Sequence, residues 1–120
     1  MTSYRVDKVE QLIKEQISNI FLHKLSDLHL GFITVTNVKV SADLKMAKIY
    51  LSVLEKEKRN FVLDKLTYNV GQIRTELAQR IRIKFVPELK FFIDDTLDYV
   101  EKIEGLLNEI HKQNDRQSNK

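Results

Sequence analysis

The residues of this chain best suited to chemistry are basic ones, and they gather in one segment. From Gln72 to Lys90 the sequence carries five basic side chains against two glutamates. The five are Arg74, Arg80, Arg82, Lys84 and Lys90. Guanidinium and ammonium groups donate hydrogen bonds to phosphate oxygens. The segment therefore predicts a surface that binds a phosphate backbone.

Gly71 stands at the start of this segment, inside a helical pattern. A glycine within a helix costs about 1 kcal/mol relative to alanine, so its presence needs a reason. On a continuous helix one side would be shared by Gly71, Arg74, Thr75, Ala78 and Arg82. Small residues let another backbone approach closely. That backbone is either a nucleic acid, whose phosphates the arginines would bind, or a neighbouring helix. In the second case the arginines are solvated residues beside the helix contact. We predict that Gly71→Val damages the fold as well as the binding, by crowding or by a lost kink.

We predict an RNA-facing surface centred on the basic segment. Its centre is Arg74, Arg80, Arg82 and Lys84, and its further members are Gly71, Thr75, Lys45 and Lys48. The alternative for the two lysines is a solvated hairpin edge that the charges protect from unwanted pairing. Phe92 is a further candidate, for stacking on a base.

Residue patterns typical of an enzyme are missing from the sequence. The histidines His23, His29 and His111 are scattered, and there is no cysteine. Asp94 and Asp95 are adjacent, so in an extended strand they would point to opposite faces and make a poor acid–base pair. No phosphate-binding glycine loop or nucleophile motif occurs. We therefore expect a non-catalytic protein without a metal site or a cofactor.

Length and composition predict one globular domain that is not inserted in a membrane. The chain has 120 residues, 42% hydrophobic content and a net charge of +3, and no apolar run is long enough for a membrane span. The absence of cysteine and of a signal-like N-terminus favours the cytoplasm. Acidic residues dominate between Phe92 and Ile110, so the molecule is expected to be dipolar.

Hydrophobic periodicity predicts the order α-β-β-α-α-β-α. A helix is expected over 4–23, strands over 32–41 and 46–54 as an antiparallel hairpin with a bulge near Asn37, and a helix from Phe61 that Gly71 splits. A third strand over 84–93 contains Pro87, which places it at an edge or puts the proline at its entrance. A last helix over 98–112, with Asp98 as a candidate cap, is expected to bury Tyr99, Ile103, Leu106, Leu107 and Ile110.

The elements define an α+β fold with a three-stranded sheet covered by helices on one face. The domain is expected to span 1–112, followed by a flexible polar tail over 113–120. The sheet edge and the acidic last helix leave open a second kind of function, a module that binds other proteins.

Three segments together resemble ribosome-binding factor A, a bacterial family. They are RVDKVEQLIKEQI, FITVTNVKVSADLKMAKIYLSV and GQIRTELAQRIRIKFVPELKFFIDD, and the likeness extends from about Tyr4 to Ile110. The resemblance implies a type II KH-like domain with a kinked helix pair and an added C-terminal helix. In the family an Ala-x-Gly motif marks the kink. Here the matching positions are Asn69, Val70 and Gly71, so asparagine replaces the alanine.

The resemblance also implies a function. It implies binding of the free small (30S) ribosomal subunit and its 16S rRNA, assistance in late maturation including processing of the 16S rRNA 5′ end, and growth in the cold. We expect the protein to act as a monomer in the cytoplasm.

Overall fold

A computed structural model describes the backbone of residues 2–23 and 30–118 and the side chains of residues 5–23 and 30–114. Its elements follow the predicted order: α1 (Thr2–His23), β1 (Ile33–Val40), β2 (Met46–Val53), α2 (Arg59–Tyr68), α3 (Val70–Arg80), β3 (Glu88–Ile93) and α4 (Thr96–Ser118). The fold is α+β, as predicted. His29 lies outside the described residues. No helix in the described ranges has the length and hydropathy needed to cross a membrane.

The sheet has the strand order β1-β2-β3. β1 and β2 form the predicted antiparallel hairpin, and β3 runs parallel to β2 at the far edge. The register of the hairpin shifts between Val35 and Asn37, which confirms the predicted bulge and explains why the buried phase of β1 changes there. Pro87 directly precedes β3, where its missing N–H removes no ladder bond.

One face of the sheet carries the hydrophobic core. Along β2 the alternate residues Ala47, Ile49, Leu51 and Val53 are buried, and they pack with the apolar stripe of α1 and with residues of α2 and α3. The sequence predicts that this stripe of α1 consists of Val6, Val9, Leu12, Ile13, Ile17, Ile20 and Phe21, and of these only Leu12 is exposed. At about 25 cal/mol per Å² of apolar surface removed from water, this layer is the main source of stability.

The helix pair breaks at Asn69, two residues before the glycine expected to split it. Asn69 leaves the helical region with φ −97° and ψ 13°. Its side-chain Nδ2 and its backbone N–H both donate to the carbonyl of Lys65, at 2.7 and 3.0 Å, and its own carbonyl accepts from Ile73 N–H. Asparagine therefore caps one helix while starting the next, which glycine has no side chain to do.

The last helix differs from its prediction in length and in burial. It begins at Thr96 and continues to Ser118, beyond the expected end at residue 112. The predicted inward residues are all exposed, at fractions from 50% to 62%: Tyr99, Ile103, Leu106, Leu107 and Ile110. Asp98 lies in the first turn and pairs with Arg59 instead of capping the helix. The flexibility of 113–120 stays a prediction.

The third strand is shorter than predicted, and Phe85 lies outside it. The segment Ile81–Pro87 runs without regular structure between α3 and β3. Phe85 is 75% exposed, whereas Leu89 on the strand is buried. The predicted strand is too long because apolar residues in an irregular segment can share the same spacing.

Candidate nucleic-acid interface

A groove with a volume of about 780 Å³ lies where α1, the hairpin turn, α3 and the segment before β3 meet. Its floor is apolar and includes Val9, Leu44, Val70, Ile83 and Leu89. Four basic residues and two acidic ones also line it: Arg5, Lys45, Arg74, Lys84, Asp43 and Glu88. The excess of basic groups favours an anionic ligand.

The hairpin turn holds Lys45 in place at this groove. Leu44 takes a left-handed conformation with φ 61°, and the Ser41 hydroxyl donates to Asp43 Oδ1 at 2.6 Å. The backbone N–H of Lys45 donates to the same oxygen at 3.1 Å, and its carbonyl accepts from Glu88 N–H at 2.8 Å. Hydrogen bonds therefore hold the turn together and also connect it to Glu88, the first residue of β3.

The same turn keeps one negative charge at the groove. The hydrogen bond from the Ser41 hydroxyl, with a second from the Lys45 backbone, lowers the pKa of Asp43 below its usual value. Asp43 is therefore ionised at neutral pH. A phosphate in the groove is expected to lie toward the arginine side, away from this carboxylate.

Arg74 reaches from α3 to the segment that precedes β3. Its Nε donates to the carbonyl of Pro87 at 3.2 Å and its Nη2 donates to the carbonyl of Val86 at 2.8 Å. These bonds fix the direction of the guanidinium group. Since the group has five donors and the residue stays exposed, it retains donors for a phosphate.

Gly71 and Thr75 lie near the start of α3, one turn apart. The Thr75 hydroxyl donates to the carbonyl of Gly71 at 3.0 Å. Gly71 is exposed, and a Cβ built on it would meet no atom within 4 Å. The expected crowding at Gly71 is therefore absent. What remains of the prediction is an exposed backbone surface beside Val70 and Arg74, which both line the groove.

The structure brings three of the predicted residues together and separates three others. Lys45, Arg74 and Lys84 share the groove. Arg80 is half-buried on α3, 4.0 Å from Glu76, and does not line the groove. Arg82 lies beyond the end of α3 at Arg80, so it does not extend the side that begins at Gly71.

Lys48 belongs to a different surface, and Arg5 is an addition. Lys48 is exposed on the side of β2 opposite the buried core residues. Arg5 comes from the first turns of α1, far from the basic segment in sequence. Only the packing of α1 against the sheet and α3 brings it to the groove, so no local signal could have identified it.

Lys84 comes with an exposed aromatic ring. Its Nζ lies 5.6 Å from the ring centroid of Phe85, which also lines the groove. An ammonium at this distance from an aromatic face is attracted by the ring. The pair therefore presents a charge and an aromatic surface side by side.

The arrangement defines a class of protein: a KH-like α+β domain with a broken helix pair and a basic groove beside the break. Residues 5–107 match the sequence model of ribosome-binding factor A, so the chain belongs to the ribosome-binding factor A family. It is 44% identical over 108 residues to ribosome-binding factor A from Thermodesulfovibrio yellowstonii, covering 90% of this chain and 92% of that protein.

Structural comparison finds the same fold in members of this family. The crystal structure of ribosome-binding factor A from Thermus thermophilus superposes with a TM-score of 0.65 at 24% identity, covering 73% of this chain and 94% of that one. A homology model of the Thermus thermophilus factor, fitted into a cryo-electron microscopy map of its complex with the 30S subunit, gives a TM-score of 0.59 at 25% identity. This second match covers 69% of this chain and 88% of the fitted one.

Proposed function

We propose that this protein binds the free small ribosomal subunit through its 16S rRNA and assists the late maturation of that subunit. The observation that carries the proposal is the groove in which Lys45, Arg74 and Lys84 converge, in a chain of the ribosome-binding factor A family. The Thermus thermophilus relative fitted into a 30S complex supports the choice of partner. We further propose that the protein acts as a monomer in the cytoplasm.

The groove suits the RNA backbone more than any one base sequence. Its basic side chains donate to phosphate oxygens, and such contacts position a partner without reading its bases. The bare backbone at Gly71 lets a strand approach α3 closely, since no side chain covers it. Specificity then comes from RNA shape and from the neighbouring ribosomal surface.

We propose that the protein acts by occupying RNA and does not catalyse a reaction. The lining side chains include two carboxylates, Asp43 and Glu88, but no hydroxyl, thiol or imidazole. A general base works best with a pKa near the working pH, whereas hydrogen bonds lower the pKa of Asp43. Purified protein is therefore expected to leave precursor 16S rRNA intact, with or without magnesium, and a cleavage activity lost in a folded point variant would contradict this.

Binding can be tested by sedimentation with purified 30S subunits. The variant Lys45→Glu/Lys84→Glu should lose most of its co-sedimentation, because two of the four positive charges of the groove become negative. A matched control is Lys8→Glu/Lys14→Glu, since both lysines are exposed on α1 and neither lines the groove. Equal binding by the groove variant and the wild-type protein, both folded by circular dichroism, would contradict the assignment of the groove.

The finer role in 16S rRNA processing needs a cellular test. Cells that lack the protein should accumulate 16S rRNA with an unprocessed 5′ end and should grow poorly in the cold. The groove variant should fail to restore either property, while the α1 control should restore both. Normal 5′ ends in the deletion strain would leave subunit binding in place but remove the processing role.

A second candidate function is protein binding through α4. The supporting observation is the exposed apolar stripe of this helix, which includes Ile103, Leu106 and Leu107, beside acidic residues such as Glu104 and Glu109. An acidic amphipathic helix suits a basic protein with an apolar groove. If this were the main function, Leu106→Ser/Leu107→Ser would abolish 30S binding while the groove variant would retain it.

A further inference from the structure

The outer face of the sheet, opposite the core, carries three lysines in register. Lys39 on β1 pairs with Lys48 on β2, and Lys48 pairs with Lys90 on β3. All three are exposed. Like charges directly opposite each other on a sheet destabilise it, so this lysine row carries a cost that an anionic ligand would relieve.

Aromatic rings lie in the next row of the same face. Tyr50 pairs with Phe92, and their rings stack with centroids 5.5 Å apart and an interplanar angle of 27°. Asn37 pairs with Tyr50 on the other side. Tyr50 and Phe92 lie two residues from Lys48 and Lys90, so the two rows are about 7 Å apart along the strands. The aromatic pair stabilises the sheet, and it also presents partly exposed ring surface beside three positive charges.

We propose that this outer face is a second nucleic-acid site, which binds a short single strand of RNA. A base would stack on the Tyr50–Phe92 pair while the adjoining phosphates contact the lysine row. Stacking on aromatic side chains combined with backbone phosphate contacts is how single strands are bound without strong sequence preference. A duplex would not fit this description, because its base faces are already stacked.

Charges around the lysine row agree with this occupant. Among the described residues, no ion pair within 4.0 Å involves Lys39, Lys48 or Lys90. Two carboxylates flank this surface: Glu88, opposite Met46, lies on the side of the lysines away from the aromatic pair, and Asp94, which accepts from the Thr36 hydroxyl, lies two residues beyond Phe92. An RNA strand that runs from the aromatic pair over the lysines therefore meets the positive charges before it reaches Glu88.

The outer face and the groove are separate sites. The groove contains Lys45 and Glu88 at one end of β2 and β3, whereas Tyr50 and Phe92 lie farther along both strands, on the opposite side of the sheet from the core. One RNA molecule can contact both, with the groove holding one part of its backbone and the outer face holding an unpaired stretch.

The test measures binding of a fluorescent oligouridylate to the full chain carrying Lys45→Glu/Lys84→Glu, in which the groove has two acidic side chains in place of two lysines and should attract RNA much less. On this background, Lys48→Ala and Lys90→Ala should each weaken binding and each lower the slope of log K against log salt concentration by about 0.7. Phe92→Leu should weaken binding by about tenfold without changing that slope. Tyr50→Phe keeps the stacked pair and should bind like the background protein.

The control is Lys8→Ala, an exposed lysine of α1, the helix that packs on the core face of the sheet, and it should change neither affinity nor slope. A second readout is ultraviolet cross-linking, in which the uridine adduct should map by mass spectrometry to Tyr50 or Phe92. The proposal is overturned if the lysine variants, folded by circular dichroism, bind as tightly as the background protein. It is equally overturned if Lys8→Ala weakens binding as much as Lys48→Ala does, since the binding would then be general charge attraction.

Discussion

A basic residue of this protein can both contact RNA and stabilise the fold, and residue type alone does not show which it does. Arg74 is predicted to contact RNA, and it also ties α3 to the segment before β3 through the carbonyls of Val86 and Pro87. Arg82 has the same charge but lies past the helix end. A basic residue in the sequence predicts a charge on the surface, but not which hydrogen bonds that charge makes within the fold.

Replacing Arg74 by methionine should therefore lower stability as well as binding. Arg74→Met removes two hydrogen bonds to carbonyls at the entrance of β3, and we expect a loss of about 1 kcal/mol in the free energy of unfolding. Urea denaturation followed by circular dichroism measures this loss. Arg82→Met is the matched control and should leave the unfolding midpoint unchanged, so an equal loss in both variants would contradict the structural role of Arg74.

The substitution Gly71→Ala should leave the fold intact but should weaken binding to the 30S subunit. Since a Cβ there meets open space, Gly71→Ala should raise the free energy of unfolding by up to about 1 kcal/mol through helix propensity. The same change should weaken 30S binding if a phosphate approaches the bare backbone. Gly105→Ala on α4 is the control, because a Cβ at Gly105 also meets no atom within 4 Å. It should stabilise similarly and bind normally.

At the scale of elements, periodicity predicted where helices and strands form but not what each one packs against. The hairpin bulge near Asn37 follows from the change of alternation in β1, and the alternation of apolar residues in β2 predicts the four residues that are buried there. The stripe on α4 follows the same kind of rule. However, a stripe indicates only that a face is apolar, and the described part of this chain supplies no surface that covers it.

The break at Asn69 shows a second limit. The resemblance placed a kink at positions 69–71 and drew attention to Gly71, but the side chain of Asn69 makes the bond that ends α2. Glycine and asparagine both interrupt helices, by different means. Only the structure distinguishes a helix break that needs the conformational freedom of glycine from one that needs the side-chain amide of asparagine.

A cluster of charges joins the first turn of α4 to the start of α2. Arg59 Nη1 lies 2.8 Å from Asp98 Oδ2, and Lys56 Nζ lies 3.4 Å from Asp98 Oδ1. The hydrogen bond from Arg59 lowers the pKa of Asp98 below its usual value and raises that of Arg59. Asp94 also has a lowered pKa, because the Thr36 hydroxyl donates to it at 2.6 Å.

Acid should loosen this junction. Since the pKa of Asp98 is lower in the folded state than in the unfolded state, its contribution to stability is complete above its unfolded value of about 4. The contribution is lost as the pH falls through the lower folded value. Nuclear magnetic resonance spectra of the first turn of α4 should therefore shift below about pH 4. Asp98→Asn should remove that shift and should leave the core signals of β2 in place. Spectra of α4 unchanged in acid would show that the pair does not hold it.

The molecule as a whole is elongated because α4 lies away from the core. Its radius of gyration is 19.1 Å, with extents of 70 × 40 × 19 Å. A compact domain of this length would have a radius of gyration of about 14 Å. The basic groove belongs to the core domain, while the acidic side chains of α4 are held away from it, as the predicted dipole requires.

Small-angle X-ray scattering of the full chain tests this shape. We expect a radius of gyration near 19.1 Å and a scattering mass of one chain at low concentration. A value of about 14 Å would mean that α4 folds back in solution. A mass of two chains would mean that the stripe on α4 is covered by a second copy, and Leu106→Ser/Leu107→Ser should then restore a single chain.

The parallel pairing of β2 with β3 has a consequence for folding kinetics. The β1–β2 hairpin joins neighbours in sequence, whereas the β2–β3 ladder closes only after α2 and α3 have been traversed, so it carries most of the loop-closure cost. Formation of this ladder should be the late, rate-limiting event. The groove includes Lys45, which precedes α2 in the chain, and Glu88, which follows α3. Its ability to bind anions should therefore appear only when the β2–β3 ladder forms, and not during earlier collapse of the chain.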